Sequence, residues 1–292
     1  MTVDKNELNA LIHLLDDPDE EIFHHVHDKL MTLGMEVIPS LENFWENSFD
    51  PIIHERIEDI IHDIQFDTVQ KELKIWRDTN PENLLLGTLI ICKFQYPDLN
   101  VLHVIESIEK IKKEIWVEMN YDLTPLEQVN IFNHVLYTLN NFGANTQNIQ
   151  DPQNCYLNKL LETKKGNPIS LGILYLVLAS QIQMPVYGVN LPQHFILSYH
   201  KNYLDNFTTE TDIRNSILFY INPFNRGIIF SREDINMFLK KLALEPKAEH
   251  YIPCNNIKIV SVLIQSLIST YELSGSIEKV NELVELKKIV DA

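Results

Sequence analysis

The sequence predicts an α+β chain that is predominantly helical, and three observations carry this. Apolar residues recur at three- and four-residue spacing over most of the length, which is one face of a helix. Between about 186 and 221 the spacing shortens to two, as in half-buried strands. Glycine is scarce, 8 in 292 residues, while 45% of residues are hydrophobic, enough for one large domain or two smaller ones.

The elements follow in order. Leu8, Leu11, Ile12 and Leu15 share a helix face. Asp16-Asp17-Pro18 ends that helix and opens another, with Asp17 as N-cap and Pro18 in the first turn. Ile22, Val26, Leu30 and Leu33 continue to a stop at Gly34, and residues 38–45 form a third helix. This unit resembles a HEAT-type repeat, with residues 51–64 as its partner helix. Residues 67–77 and 81–95 read as two further helices, and 99–120 as a long amphipathic one. Thr124-Pro125-Leu126-Glu127 is a capping box whose helix runs to about 142.

Residues 145–154 are polar and loop-like, and 155–163 form a short helix. Residues 169–182 are apolar almost all round, hence a buried helix, entered through Gly166-Asn167-Pro168 with Asn167 as cap. Met184-Pro185 leads into strands at 186–191, 195–199 and 217–221. Ser231 caps a later helix, and 255–273 with 276–289 form a helical pair broken at Ser274-Gly275, similar to a tetratricopeptide hairpin. Trp45, Trp76 and Trp116 fall on apolar helix faces and are assigned to the core. The resulting division is 1–95, 96–250 and 251–292.

The formal charge of −17 argues against nucleic acid or an anionic membrane as partner. Cys92, Cys155 and Cys254 are few, odd in number and far apart, which predicts reduced thiols and a cytoplasmic setting. The first fifteen residues carry an acid and no long apolar stretch, so no signal peptide is expected, and no run reaches the length of a membrane helix. No phosphate-binding glycine motif occurs, so no cofactor is expected. His24 and His27 share a helix face but lack a completing ligand set, so no metal site is expected either.

Candidate chemistry gathers where the buried helix begins. A helix N-terminus offers free N–H groups and partial positive charge, and a nearby His beside a thiol there makes a competent nucleophile. Three pieces occur in order: Lys165-Gly166-Asn167-Pro168-Ile169-Ser170-Leu171, Tyr187 to Phe195 containing Asn190, Gln193 and His194, and Ile221-Asn222-Pro223-Phe224-Asn225-Arg226-Gly227. In these the chain resembles the SirB-type transglutaminase-like proteins. The resemblance covers most of residues 5–245, the helical N-terminus more loosely, and implies a transglutaminase-like core in 96–250, a buried helix against a small antiparallel sheet. It puts His194 at the general-base position, Asn222 at the orienting position, and Pro168, which has no nucleophile, at the cysteine position.

Three functions follow as expectations. The first is a non-catalytic module whose cleft, built by Asn167, Pro168, Tyr187, Asn190, Gln193 and Arg226 around His194, binds a peptide or protein. The second is a hydrolase or acyltransferase using Ser170, His194 and Asn222, with Cys155 as another candidate nucleophile. The third is a scaffold acting through its helical surfaces. Ser170 also has the simpler reading of a backbone-bonding residue at the helix start. Arg226 reads as a salt-bridge partner or an anion-binding group.

Overall fold

A computed structural model describes residues 5–17, 19–120, 122–204 and 209–292 of the chain. The fold is predominantly helical with small sheets. It divides into two compact units at residues 72/73, not at 95/96 and 250/251.

The first unit holds helices α1 (Lys5–His13), α2 (Glu20–Leu33) and α3 (Ile38–Asn47), and the start of α4 (Pro51–Thr79). Their apolar stripes meet in one core of Leu15, Leu30, Val37, Leu41, Ile57, Ile60 and neighbours. The α2 cap is Asp19, whose carboxylate accepts from the Glu21 N–H at 2.9 Å; Asp17 instead accepts from the Asp19 N–H at 2.9 Å. Pro18 lies outside the described residues. Gly34 ends α2 with φ 66°. Arg56 is held in this unit by the carbonyls of Leu15 and Asp17, each at 2.8 Å.

Segments expected as two helices, 51–64 and 67–77, are one 29-residue helix, because nothing between them breaks the backbone pattern: residues 65–66 are Gln and Phe. Of the three tryptophans only Trp76 is core, at 1% exposure; Trp45 is 37% and Trp116 67% exposed. The Trp45 ring stacks on His54 at 4.6 Å instead.

The second unit is built on α9 (Pro168–Gln181), whose residues from Ile169 to Ala179 are all buried. Around it lie α5 (Leu84–Gln95), α6 (Val101–Glu118), α7 (Pro125–Asn133), α8 (Leu157–Thr163) and a sheet. The sheet runs β3 (Val186–Leu191), β4 (His194–His200), β5 (Ile217–Asn222), β6 (Ile228–Phe230), all antiparallel. Strand β6, at three residues, is too short to give a period-two signal. A separate parallel pair joins β1 (Gly143–Ala144) to β2 (Lys165–Gly166). Helix α10 (Glu210–Ser216) precedes β5, and α11 (Arg232–Lys241) covers one sheet face through Ile235 and Leu239.

The helix expected to reach residue 142 changes hand-hold after Asn133, continuing as a wide π turn over His134–Leu139. There the Tyr137 carbonyl accepts from Arg226 Nη2 at 2.9 Å, and the Tyr137 hydroxyl donates to the Pro223 carbonyl at 2.9 Å. Tertiary partners thus replace the regular ladder.

Helices α12 (Asn256–Ser274) and α13 (Ile277–Asp291) pack on each other, and α12 also packs on α5, α9 and β3, so the C-terminal pair belongs to the second unit. Contrary to expectation, α12 is long and apolar enough, by length and composition, to cross a membrane; half of it is buried inside the fold. Among the described residues no three His, Cys, Asp or Glu side chains group to hold a metal.

Helix α9 is keyed to the sheet by one ring. Phe195 lies where Gly172 of α9 and Gly188 of β3 have no side chain, and a Cβ at either would run into it. Gly172→Ala would gain about 1 kcal/mol of helix propensity but overpack this site by about 1–3 kcal/mol. Net destabilisation is expected in denaturant unfolding, partly relieved by Phe195→Leu. Equal midpoints for wild type and Gly172→Ala would refute the keying.

His200, fully buried, has Nδ1 at 2.7 Å from Ser216 Oγ and Nε2 at 2.9 Å from Ser198 Oγ. The Ser216 hydroxyl donates to the Ile213 carbonyl at 2.6 Å, so it accepts from Nδ1–H, and Nε2 accepts from Ser198. Burial of this neutral ring pushes its pKa down to about 4. The unfolded chain takes up the proton first, near pH 6.5, so stability is full above that pH and falls as pH drops toward 4. The loss is at most about 3 kcal/mol. Unfolding midpoints against pH should slope less for His200→Gln than for wild type over this window; parallel slopes would remove His200 as the cause.

Candidate functional site

The start of α9 is fixed by a reciprocal cap. Asn167 Oδ1 accepts from the Ser170 N–H at 3.0 Å, and Ser170 Oγ accepts from the Asn167 N–H at 3.1 Å. Pro168 takes the first helical position, where its missing N–H costs nothing. The Ser170 hydroxyl then donates to the Asn154 carbonyl at 2.6 Å, tying the helix to the 3₁₀ turn Pro152–Cys155. This is the backbone-bonding role of Ser170, in a side chain that is buried.

Asn167 also reaches outward. Its Nδ2 donates to Cys155 Sγ at 3.0 Å and to Ser266 Oγ of α12 at 3.1 Å. Cys155 is buried, and burial pushes its thiol up to about 11. A thiol held in that state is not a nucleophile near neutral pH.

Beside this joint opens a cleft of about 580 Å³. One wall is Pro168 and Ile169; another is the hairpin end with Asn190, Gln193 and His194. Gln193 sits in the turn at φ 63°. The third wall is α12, with Lys287 of α13 beside it.

His194 is half-buried, pairs in register with Leu191, and meets the Phe238 ring of α11 at 5.0 Å. Burial holds its pKa below the usual imidazole value. Side chains alternate along β4, so Phe195 faces α9 while His194 leans to the α11 side at the cleft rim. Among the described residues the His194 ring has no hydrogen-bond partner.

The structure therefore brings together Pro168, Asn190, Gln193 and His194 at the cleft. It engages the other candidates elsewhere. Asn222 accepts from the Asn225 N–H at 3.2 Å and caps the turn after β5. Arg226 bonds the Tyr137 carbonyl, a backbone acceptor in place of the expected salt bridge or anion. The Tyr187 hydroxyl accepts from the Leu204 N–H at 3.1 Å, and its ring meets His200 at 5.2 Å, at the far end of the hairpin. The α12 wall, with Lys258, Ser261, Gln265, Ser266 and Ser269, was not anticipated; its only local signal is a polar stripe on an otherwise apolar helix.

A buried helix with a reciprocal cap, an antiparallel sheet against it and a His at the cleft rim match the expected core. The family model described as the transglutaminase-like superfamily matches residues 102–265, more than half of the chain. The chain belongs to the transglutaminase-like superfamily. It is similar to a UPF0162 protein of Xylella fastidiosa, 30% identical over 156 residues, covering 52% of this chain and 50% of that protein. A UPF0162 protein of Vibrio cholerae is 25% identical over 162 residues, covering 56% and 55%. F-box only protein 21 of Mus musculus is 37% identical over 67 residues, 23% of this chain and 11% of that protein. The chain thus spans about half the length of the bacterial relatives. No solved structure matches it.

Asn167→Ala would remove a cap worth about 1 kcal/mol and leave the Cys155–Ser266 contact without its bridge. Stability should fall by about 1–2 kcal/mol, and Cys155 should react faster with a disulfide reagent under native conditions. An unchanged Cys155 labelling rate would show that Asn167 does not shield it.

Proposed function

We propose that this transglutaminase-like chain, of SirB type, is a binding module that keeps the superfamily's cleft without its acyl-transfer chemistry, and that the cleft holds a peptide segment of a partner protein. The observation that carries this is the commitment of the Ser170 hydroxyl to the Asn154 carbonyl at 2.6 Å, one residue pair beyond a proline at the position the resemblance assigns to the nucleophile. A nucleophile must give its proton to the base, and this one is engaged in holding the helix start. Cys155, its thiol raised to about 11, offers no substitute. Asn222, in turn, caps its own turn, which leaves His194 without the orienting partner that base catalysis uses.

The cleft itself is open and polar along one wall, and its volume suits a few peptide residues. The HEAT-like reading of α1–α4 and the tetratricopeptide-like reading of α12–α13 add surfaces of the kind that engage other proteins. Free thiols at Cys92, Cys155 and Cys254 fit a reducing, cytoplasmic setting, and the acidic charge disfavours nucleic acid and membranes as partners.

The test is affinity selection of a random peptide pool on the full chain against the Ser269→Trp variant, in which an indole from the exposed face of α12 fills the cleft. Recovery of selected peptides should fall by about tenfold or more on the variant. Equal recovery from both proteins would end the cleft-binding reading, and hydrolysis of an activated ester that is lost in Ser170→Ala would end the non-catalytic one.

A further inference from the structure

The cleft's chemistry departs from that of the chain around it. The whole molecule carries −17, yet among the described residues no Asp or Glu lines the cleft, whose ionisable residues are Lys258, Lys287 and His194. The α12 wall presents Lys258, Ser261, Gln265 and Ser269, spaced by three or four residues and therefore on one helix face. The remaining faces of that helix are apolar and buried: Ile259, Val260, Leu263, Ile264, Leu267 and Ile268. Ser261 is buried and its hydroxyl bonds the Asp291 carboxylate, and Ser269 donates to the Gln265 carbonyl at 3.0 Å, so Lys258 and the Gln265 amide are the polar groups of this wall for which packing gives no reason.

Across the cleft the first turn of α9 supplies a further donor. Pro168 has no N–H, and the Ser170 N–H is taken by Asn167 Oδ1. That leaves the Ile169 N–H, in a residue lining the cleft, without a protein acceptor among the described residues. It stands at the positive end of the helix dipole.

Lys287 Nζ is held by Asp291 Oδ2 at 2.7 Å, and the hydrogen bonds from Lys287 and Ser261, with Lys258 acting through space, hold the Asp291 carboxyl below its usual range against the opposing effect of burial. One carboxylate behind the wall thus engages Lys287 and Ser261, while Lys258 is in no ion pair among the described residues and leaves the cleft with a surplus positive charge. Donors from two sides, surplus positive charge and no lining acid describe a receptor for an anion with planar or branched oxygens.

We infer that the cleft recognises a carboxylate borne by an extended peptide, through Lys258, Lys287 and the Gln265 amide on one side and the Ile169 N–H on the other. This rests on the peptide-binding reading above and names the group that is read. The carboxylate is either the C-terminus of the peptide or an Asp or Glu side chain, and both present the same chemistry.

The test uses the full chain and three N-terminally labelled random heptapeptide pools bearing an uncharged dye, followed by anisotropy. The first pool has a free C-terminus and no Asp or Glu, the second is the same pool amidated, and the third is amidated but carries one Glu. The first or the third should bind at least about tenfold more tightly than the second, losing this advantage at high salt. Preference for the first identifies a C-terminus, and preference for the third a side chain.

Lys258→Gln with Lys287→Gln should remove the preference. Gln265→Ala, at an exposed position lining the cleft, should weaken it without affecting folding. Equal binding of all three pools, or a preference that survives the double lysine variant, overturns the inference while leaving peptide binding intact. Binding of no pool overturns both.

Discussion

Everything at the site hangs on the side chain of Asn167. Its carbonyl oxygen caps α9, its amide hydrogens bridge Cys155 and Ser266, and its backbone N–H meets Ser170. One buried amide therefore joins the helix start, the turn before α8 and the α12 wall. Apolar contacts tolerate a shift of a few tenths of an ångström, whereas buried polar groups tolerate little, because an unmade hydrogen bond there carries the full desolvation penalty. The separation of two cleft walls is accordingly set by bond lengths more than by packing.

The same joint engages the hydroxyl that stands nearest the helix start. A serine in the first turn of a buried helix has two uses, as nucleophile or as cap, and they exclude one another once its proton is given to a carbonyl. Ser170 is committed to the second. Proline two residues earlier, in the same turn, reinforces the geometry of the start with a side chain that has no reactive group. Structural optimisation of the helix entrance and catalysis at it compete for the same few positions.

Local signals were legible in the sequence, and long-range ones were not. The caps at Thr124, Asn167 and Ser231 could be read because cap and capped group lie within three residues. The strand carrying His194 could be read as well. Its facing could not, since that depends on which of His194 and Phe195 fills the space left by Gly172 and Gly188, a contact between three separate elements. The α12 wall was hidden for a similar reason. A polar stripe of Lys258, Ser261, Gln265 and Ser269 looks like any solvated helix face until the fold brings it against residues some ninety positions earlier in the chain. Asn222 and Arg226 were visible as notable residues, but their partners, the Asn225 N–H and the Tyr137 carbonyl, are set by a turn and by a π-helical widening that no periodicity announces.

The slot occupied by Phe195 has a consequence for how this cleft can change. The ring is gripped by the absence of two side chains, so neither glycine can acquire one without evicting it, and the strand cannot slip by one residue. Immediately next to it, the hairpin tip at Pro192 and Gln193 packs against nothing comparable and is only loosely covered. Substitutions at the two or three tip residues can therefore reshape the rim without refolding the frame beneath them.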